Sequence, residues 1–479
     1  MDSSGIPSVT RFFVSCPGYL ESLLVEELRD IGGDLIRSVS GTSGGLHFEG
    51  EIEAAYRACM WSRFASRVYG ELARGPVESR DDLYRMASGV PFENLFDVRY
   101  TFAVAAHGNH RAFRHSSLPA LVTKDAVADR FREHKGRRPS VDTEQPGVRL
   151  YVHLSERETT LYVDLAGESL HRRGYRMQST DAPLRENTAA AVLARAGWAD
   201  AVAKWRTGTG SVPVLADPMC GSGTLAIEAL LWAGNVAPGL AREGYGLERL
   251  TGYDETLWKR IVEKARAERE RGLERVREAA VRVWASDVSR EAVTATRGNA
   301  RAAGVSELLT TEVCDFTHVS RGAVLGDLDK TFDTQAELPY FIVTNPPYGK
   351  RLGPAGGGAE RRGPSQSEYE IYERLGRHLA ERFRGFRAAV LASSKEQAKH
   401  LGLRAERVNT LYNGDLKVVI AVLNVDEGNV YRVPDSGPSG AGAAGRDKGG
   451  DQTSGVAMLS NRLRKNRRSL RSYLKAENV

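Results

Sequence analysis

The sequence predicts an α/β protein, with a large doubly wound domain over residues 176–433 behind two smaller α+β units. Three observations carry that prediction. From about residue 176 onward, strand-like and helix-like stretches alternate, the pattern of a parallel sheet covered on both faces. In "VPVLADPMCGSGTLAIEAL", an apolar strand ends at Asp217, a glycine turn follows at Gly221-Ser222-Gly223, and an apolar helix begins at Thr224. In "FIVTNPPYGKRL", a second apolar strand runs straight into Asn345-Pro346-Pro347-Tyr348, where two prolines remove two backbone donors and forbid a central strand to continue.

The elements follow in order. Residues 1–65 form the first unit: a strand at Arg11 to Ser15, then Leu20, Leu23, Leu24 and Leu28 at helical spacing, a glycine-rich turn, and a second strand near Leu46 to Phe48. Residues 66–175 form the second. "RYTFAVAAHG" and a helix near "VTKDAVADRFREHKG" precede "VRLYVHLS" and "TTLYVDLAG", an antiparallel pair joined by Glu156-Arg157-Glu158. Residues 434–456 are rich in Gly, Ser, Asp and Ala and read as a flexible linker. Residues 457–479 regain helical character, with six cationic residues between Arg462 and Arg471.

Bulk properties narrow the class. A chain of 479 residues with 41% hydrophobic and 27% charged residues is a multidomain globular profile. No apolar run reaches a membrane span, and the N-terminus has no signal-peptide pattern, so a cytoplasmic location is expected. The four cysteines, Cys16, Cys59, Cys220 and Cys314, form no CxxC pair, which argues against a disulfide frame or a metal site. Cys220 and Cys314 read as small apolar residues, since no His or second Cys accompanies either in sequence. A net charge of +6 permits a polyanionic partner without requiring one.

The glycine turn also satisfies GxGxxA, the dinucleotide fingerprint. That reading wants an acid about 20 residues later to hold a ribose, whereas the next strand ending in an acid, "VRVWASD" at Asp287, comes after a long charged insertion. The order Asp217-x-x-x-Gly221-x-Gly223 instead suits a ligand with a cationic amino-acid end, as in S-adenosylmethionine. Asp287 would then grip the ribose hydroxyls, and Asp315, in "TTEVCDF", would sit near the adenine. Plainer readings stand beside these. The turn can be a tight connection, Asp287 a helix N-cap for "DVSREAV", Asp315 a loop carboxylate, and the basic tail a solvated helix face.

The proline turn has a chemical reading. The lone pair of a nucleobase amine is delocalised into its ring, so methylation requires it to be redirected. The Asn345 side-chain oxygen and the Pro346 carbonyl can accept the amine's two N–H bonds, and a stiff turn holds both in place beforehand. Tyr348 supplies a ring for a flipped-out base.

Together, "DPMCGSGTLAIEA", "SLHRRGYR", "APLRENTAAAVL", "APGLAR" and "TNPPYGKRL" resemble the bacterial THUMP-containing 23S rRNA guanine-N2 methyltransferases. The resemblance implies a ferredoxin-like unit, a THUMP RNA-binding domain and a Rossmann-like S-adenosylmethionine methyltransferase domain. It implies Asn345, Pro346, Pro347 and Tyr348 as the catalytic turn, Asp217, Gly221, Gly223, Asp287 and Asp315 as cofactor contacts, and Glu186 and Asn187 as a closure over the methionine end. The expected RNA contacts are Lys124, Arg130, Arg132, Lys135, Arg137 and Arg138, with Arg462, Arg464, Lys465, Arg467 and Arg468 in the tail. The expected partner is 23S rRNA or a pre-ribosomal particle, met by a monomer with no DNA, membrane or metal. Some relatives fuse a second methyltransferase domain, which this chain ends too early to contain, so a second modification is not expected. A tRNA guanine-N2 methyltransferase is the alternative enzyme, and an RNA-binding assembly factor without catalysis the alternative class.

Overall fold

Two seven-stranded sheets organise the described residues. The structure, a computed structural model, describes residues 10–113, 117–156, 158–179, 183–331, 339–347 and 366–431. These lie within one unit, Met1–Val433; the expected linker and basic tail lie outside the described residues.

The first sheet starts with β1 (Arg11–Ser15), α1 (Glu21–Gly32), β2 (Ile36–Thr42), β3 (Gly45–Gly50), α2 (Ile52–Trp61) and β4 (Arg67–Gly75). It continues through α3 (Arg80–Ser88), α4 (Phe92–Leu95), β5 (Phe102–Gly108), α5 (Leu118–Lys135), β6 (Val148–Leu154) and β7 (Thr159–Asp164). The strand order is β2-β3-β1-β4-β7-β6-β5. β4 pairs antiparallel with β1 on one side and with β7 on the other, so one sheet runs through both small units. The boundary expected near residue 65 therefore falls just before the strand that joins them. Alternate β1 residues Phe12 and Val14 are buried, and Phe12 stacks on Phe48 of β3 at 4.8 Å. β6 and β7 form the expected antiparallel pair, closed where the Ser155 N–H donates to the Glu158 carbonyl. β2 was not foreseen. It is an edge strand whose residues are mostly exposed, so it lacks the alternation that marks a half-buried strand.

The second sheet is built from α6 (Glu186–Ala196), α7 (Trp198–Arg206), β8 (Val214–Asp217), α8 (Thr224–Ala233), α9 (Glu255–Glu278), β9 (Arg282–Asp287), α10 (Arg290–Ala303) and β10 (Leu309–Val313). α11 (Arg321–Leu325), β11 (Tyr340–Thr344), α12 (Gln366–Arg382), β12 (Arg387–Ala392), α13 (Lys395–Lys399), β13 (Arg407–Asn413) and β14 (Leu416–Asn424) complete it. The order is β10-β9-β8-β11-β12-β14-β13. The five strands β8–β12 are parallel, as the alternation predicts, and β14 adds an antiparallel edge that it did not, pairing antiparallel with both β12 and β13. The reason is local: with Asn413 opposite Leu416, only Gly414 and Asp415 connect β13 to β14, and so short a loop closes only an antiparallel hairpin. Strand order reverses between β8 and β11, the place where open α/β sheets hold their ligands beyond the strand ends.

Candidate active site

The parallel sheet brings the predicted residues together because its strands all end on one side. β8 and β11 are adjacent and in register, with Ile342 opposite Ala216, so Asp217 and Thr344 finish side by side. The Thr344 hydroxyl donates to Asp217 Oδ1 at 2.8 Å, and the Met219 N–H donates to the same oxygen at 3.3 Å. Asp217 is 1% exposed. Burial pushes its carboxyl up to about pKa 7 against these hydrogen bonds, and the nearby Asp287 charge adds to the rise.

One residue past β11 stands Asn345. Its Oδ1 is enclosed and has no hydrogen-bond partner among the described residues. Buried amide oxygens are nearly always paired, so an orphan at a strand end points to an acceptor reserved for something else. Pro346 is buried and Pro347 exposed, while Tyr348 lies outside the described residues.

The glycine turn is held from the next strand. The Gly221 N–H donates to Asp287 Oδ2 at 2.9 Å, and the Ser289 N–H donates to Asp287 Oδ1 at 3.0 Å. Ser289, not Asp287, caps α10 through the Ala292 N–H. Gly223 has φ 84, and a Cβ there would come within 2.7 Å of Thr296 Cγ2, so both its backbone and its packing require glycine. Asp315 caps a single 3-10 turn at Phe316–His318: its Oδ1 accepts from the Thr317 N–H at 2.9 Å and from the Thr317 hydroxyl at 2.7 Å. Burial alone would raise its pKa, but the Thr317 bonds and Arg374, at 3.7 Å, outweigh that and hold it low. Of the two cysteines near these strand ends, Cys220 is buried and Cys314 half-buried, and all four cysteines are free.

Glu186 and Asn187 open α6 and are both buried. Glu186 accepts from Arg176 Nε at 2.9 Å. Its pKa is raised by burial, with Arg176 opposing. The same guanidinium donates to Ser222 Oγ at 3.2 Å, Thr224 Oγ1 at 3.0 Å and the Leu184 carbonyl at 2.8 Å. Arg176 thus ties the α6 N-terminus to the glycine turn, a role the sequence reading did not assign it. Asn299 was also missed: its amide nitrogen donates to the Ser222 and Gln178 carbonyls, and its oxygen accepts from the Met177 and Gln178 N–H groups. Asn187 Nδ2 donates to Ser66 Oγ at 3.3 Å, while its Oδ1, like that of Asn345, is enclosed without a partner among the described residues.

The expected RNA contacts divide. Arg130 is already engaged within the fold: its Nε and Nη2 both meet the Glu93 carboxylate at 2.7 Å, its Nη1 donates to the Ser88 carbonyl, and it fastens α5 to α4. Such a bidentate pair leaves little of the guanidinium for a phosphate. Lys124 is half-buried beside Asp125 at 2.6 Å, and exposed Arg132 pairs with Asp129. Lys135, Arg137 and Arg138 are exposed at and just past the α5 C-terminus. Arg462, Arg464, Lys465, Arg467 and Arg468 lie outside the described residues.

A glycine turn, two strand-end acids and a strand-end amide without a partner among the described residues, gathered at a switch point, are the layout of a Rossmann-like methyltransferase domain. The chain belongs to the family described as "RMKL-like, methyltransferase domain", which it matches over residues 173–421. It also matches the THUMP domain over 77–164 and the RlmL ferredoxin-like domain over 11–69. Over 469 residues it is 40% identical to a ribosomal RNA large subunit methyltransferase K/L of Syntrophotalea carbinolica, covering 98% of this chain and 59% of that protein. The protein of the same name from Allochromatium vinosum is 36% identical over 98% of this chain and 58% of its own length. The chain thus spans a little under three-fifths of each. Among solved structures, SMU.472 complexed with SAH has the same fold, with a TM-score of 0.68 and 22% identity over 87% of this chain and 98% of that one. Among the described residues no helix is long and apolar enough to cross a membrane.

Proposed function

We propose that the protein transfers the methyl group of S-adenosylmethionine to the exocyclic N2 amine of a guanine in 23S rRNA. The observation that carries this reading is the enclosed, unpartnered Asn345 Oδ1 beside the Asp217–Thr344 pair. The cleft fits the cofactor on its own chemistry. A buried carboxylate raised to about pKa 7 is short of a cation, which an amino-acid ammonium would supply. The Asn187 and Asn345 oxygens each lack a donor among the described residues. In this reading Asp287, at the end of β9, holds the ribose, and Glu186 and Asn187, at the start of α6, close over the methionine end.

S-adenosylmethionine bound there supplies an electrophilic methyl group on a sulfonium. The chain's own residues do the rest. Asn345 Oδ1 and the Pro346 carbonyl accept the two N–H bonds of the guanine amine and draw its nitrogen toward a tetrahedral shape, with the lone pair aimed into the cleft. The Pro346-Pro347 backbone keeps both acceptors fixed, so little reorganisation accompanies the reaction. No strong base is needed, because the amine proton becomes acidic only once the new N–C bond exists. The large-subunit rRNA methyltransferases that resemble this chain support the substrate assignment.

The test is labelled-methyl transfer to unmodified 23S rRNA, followed by nuclease digestion and nucleoside chromatography. N2-methylguanosine is the expected product. Label in any other nucleoside refutes the target, and label accepted only by tRNA moves the substrate to that class.

A further inference from the structure

Tyr19 holds a backbone conformation that its side chain disfavours. Its φ is 70, and only two other non-glycine residues among those described, Asn235 and Ala280, have positive φ. Burial does not explain the choice of residue, for Tyr19 is 50% exposed. Strain retained at an exposed aromatic ring is an argument for use.

The ring stacks on Tyr412, with centroids 5.8 Å apart and planes at 13°. The turn is pressed close, since a Cβ on Gly18 would lie 3.3 Å from Tyr412 Cδ2. Tyr412 belongs to β13, at the end of the hairpin that secures α6. Its carbonyl accepts from Thr188 Oγ1 at 3.0 Å, and the next residue, Asn413, accepts the Arg185 N–H at 3.0 Å. The ring pair therefore stands at the start of the helix that carries Glu186 and Asn187. Arg185 lies against the hairpin tip, its Nη2 3.0 Å from where a Gly414 Cβ would sit. It is exposed and makes no ion pair among the described residues. Half-buried His171 lies within the field of Arg185, Arg172, Arg173 and Arg176, and burial followed by these charges drives its pKa down to about 3. Arg172, Arg173 and Arg176 each have a carboxylate; Arg185 does not.

We propose that Tyr19, Tyr412 and Arg185 form a stacking platform for an unpaired nucleotide flanking the target guanine. A base on the open face of Tyr19 extends an existing parallel stack, and Arg185 meets the adjoining phosphate. This rests on the reading of RNA as substrate, and on the complementarity of a phosphate to the exposed Arg185 charge.

The test is titration of a labelled single-stranded uridine 12-mer and of unmodified 23S rRNA, with a thermal melt of each variant. Tyr19→Gly suits φ 70, so its midpoint should not fall, while its affinity for the 12-mer drops about tenfold, the loss of one stacked base. Tyr19→Phe should bind as the wild type. Arg185→Ala, an exposed change independent of the turn, should lower the log–log salt slope for the 12-mer by about 0.7. Wild-type affinity in Tyr19→Gly, or an unchanged slope in Arg185→Ala, overturns the platform alone. If the wild type binds neither RNA, the substrate reading falls first. If Tyr19→Gly binds naked RNA normally but loses retention on large-subunit particles, the rings meet protein and the proposal is wrong.

Discussion

The two sheets have seven strands each, yet they present their ends differently. In the second sheet β8, β9 and β11 are parallel, so Asp217, Asp287 and the Thr344–Asn345 step emerge on one side, tied by the Thr344–Asp217 and Gly221–Asp287 hydrogen bonds. In the first sheet every pairing except β5–β6 is antiparallel, so strand ends alternate and no such set converges. Parallel topology concentrates chemistry at a point, where single substitutions should be severe. The antiparallel sheet offers a scaffold whose exposed cations, Lys135, Arg137 and Arg138, act by summation, where single substitutions should be mild.

The largest effect expected from this contrast is at Asp217. Its folded-state pKa, about 7, exceeds the ordinary 3.8, so the unfolded chain releases the proton first. Stability from this group is intact below pH 4 and is lost as pH rises toward 7, by about 4 kcal/mol over some three pH units. Asp217→Asn should melt like the wild type near pH 4 and clearly higher at pH 8, while losing cofactor affinity. Parallel melting curves at both pH values would show that the carboxyl is not the strained group. Next comes Asp287. Asp287→Ala removes the acceptor for the Gly221 and Ser289 N–H groups and for the proposed ribose hydroxyls. Calorimetric titration should find S-adenosylmethionine binding weaker by about 1.5–3 kcal/mol, and unchanged affinity would reject the ribose assignment. The smallest effects belong to the first sheet. Replacing Lys135, Arg137 and Arg138 together by Ala should lower the salt slope of rRNA binding by about 2–3, and each alone by less than 1. A single member that abolished binding would mean this region also works through a point site.

The same contrast sets what could be read without coordinates. Asp217, Gly221, Gly223, Asp287 and Asn345 carry local signatures, each closing an apolar run or opening a helix, and parallel topology brings them together once alternation is recognised. Arg176 and Asn299 act on partners far along the chain, Arg176 as much as 48 residues away at Thr224 and Asn299 as much as 122 away at Met177, and no local pattern encodes those distances. The Arg130–Glu93 pair was hidden for the same reason: on a helix Arg130 resembles any solvated cation until Glu93 is placed against it. The β13–β14 hairpin was legible in principle from the Asn-Gly-Asp turn, but it was absorbed into the alternating pattern around it. Tyr19 gave no sign at all, because nothing in its sequence neighbourhood reports φ.

In the proposed mechanism the Asn345 amide at the end of β11, without a partner among the described residues, receives the target amine. Asn345→Ala tests it most directly, measured on one preparation by calorimetric binding of S-adenosylmethionine and by single-turnover methyl transfer to unmodified 23S rRNA. The substitution leaves the glycine turn and the acids of β8 and β9 in place, so cofactor affinity should persist while the transfer rate falls by about 10²–10³. Full transfer rate in Asn345→Ala would contradict the account, whatever the cofactor affinity.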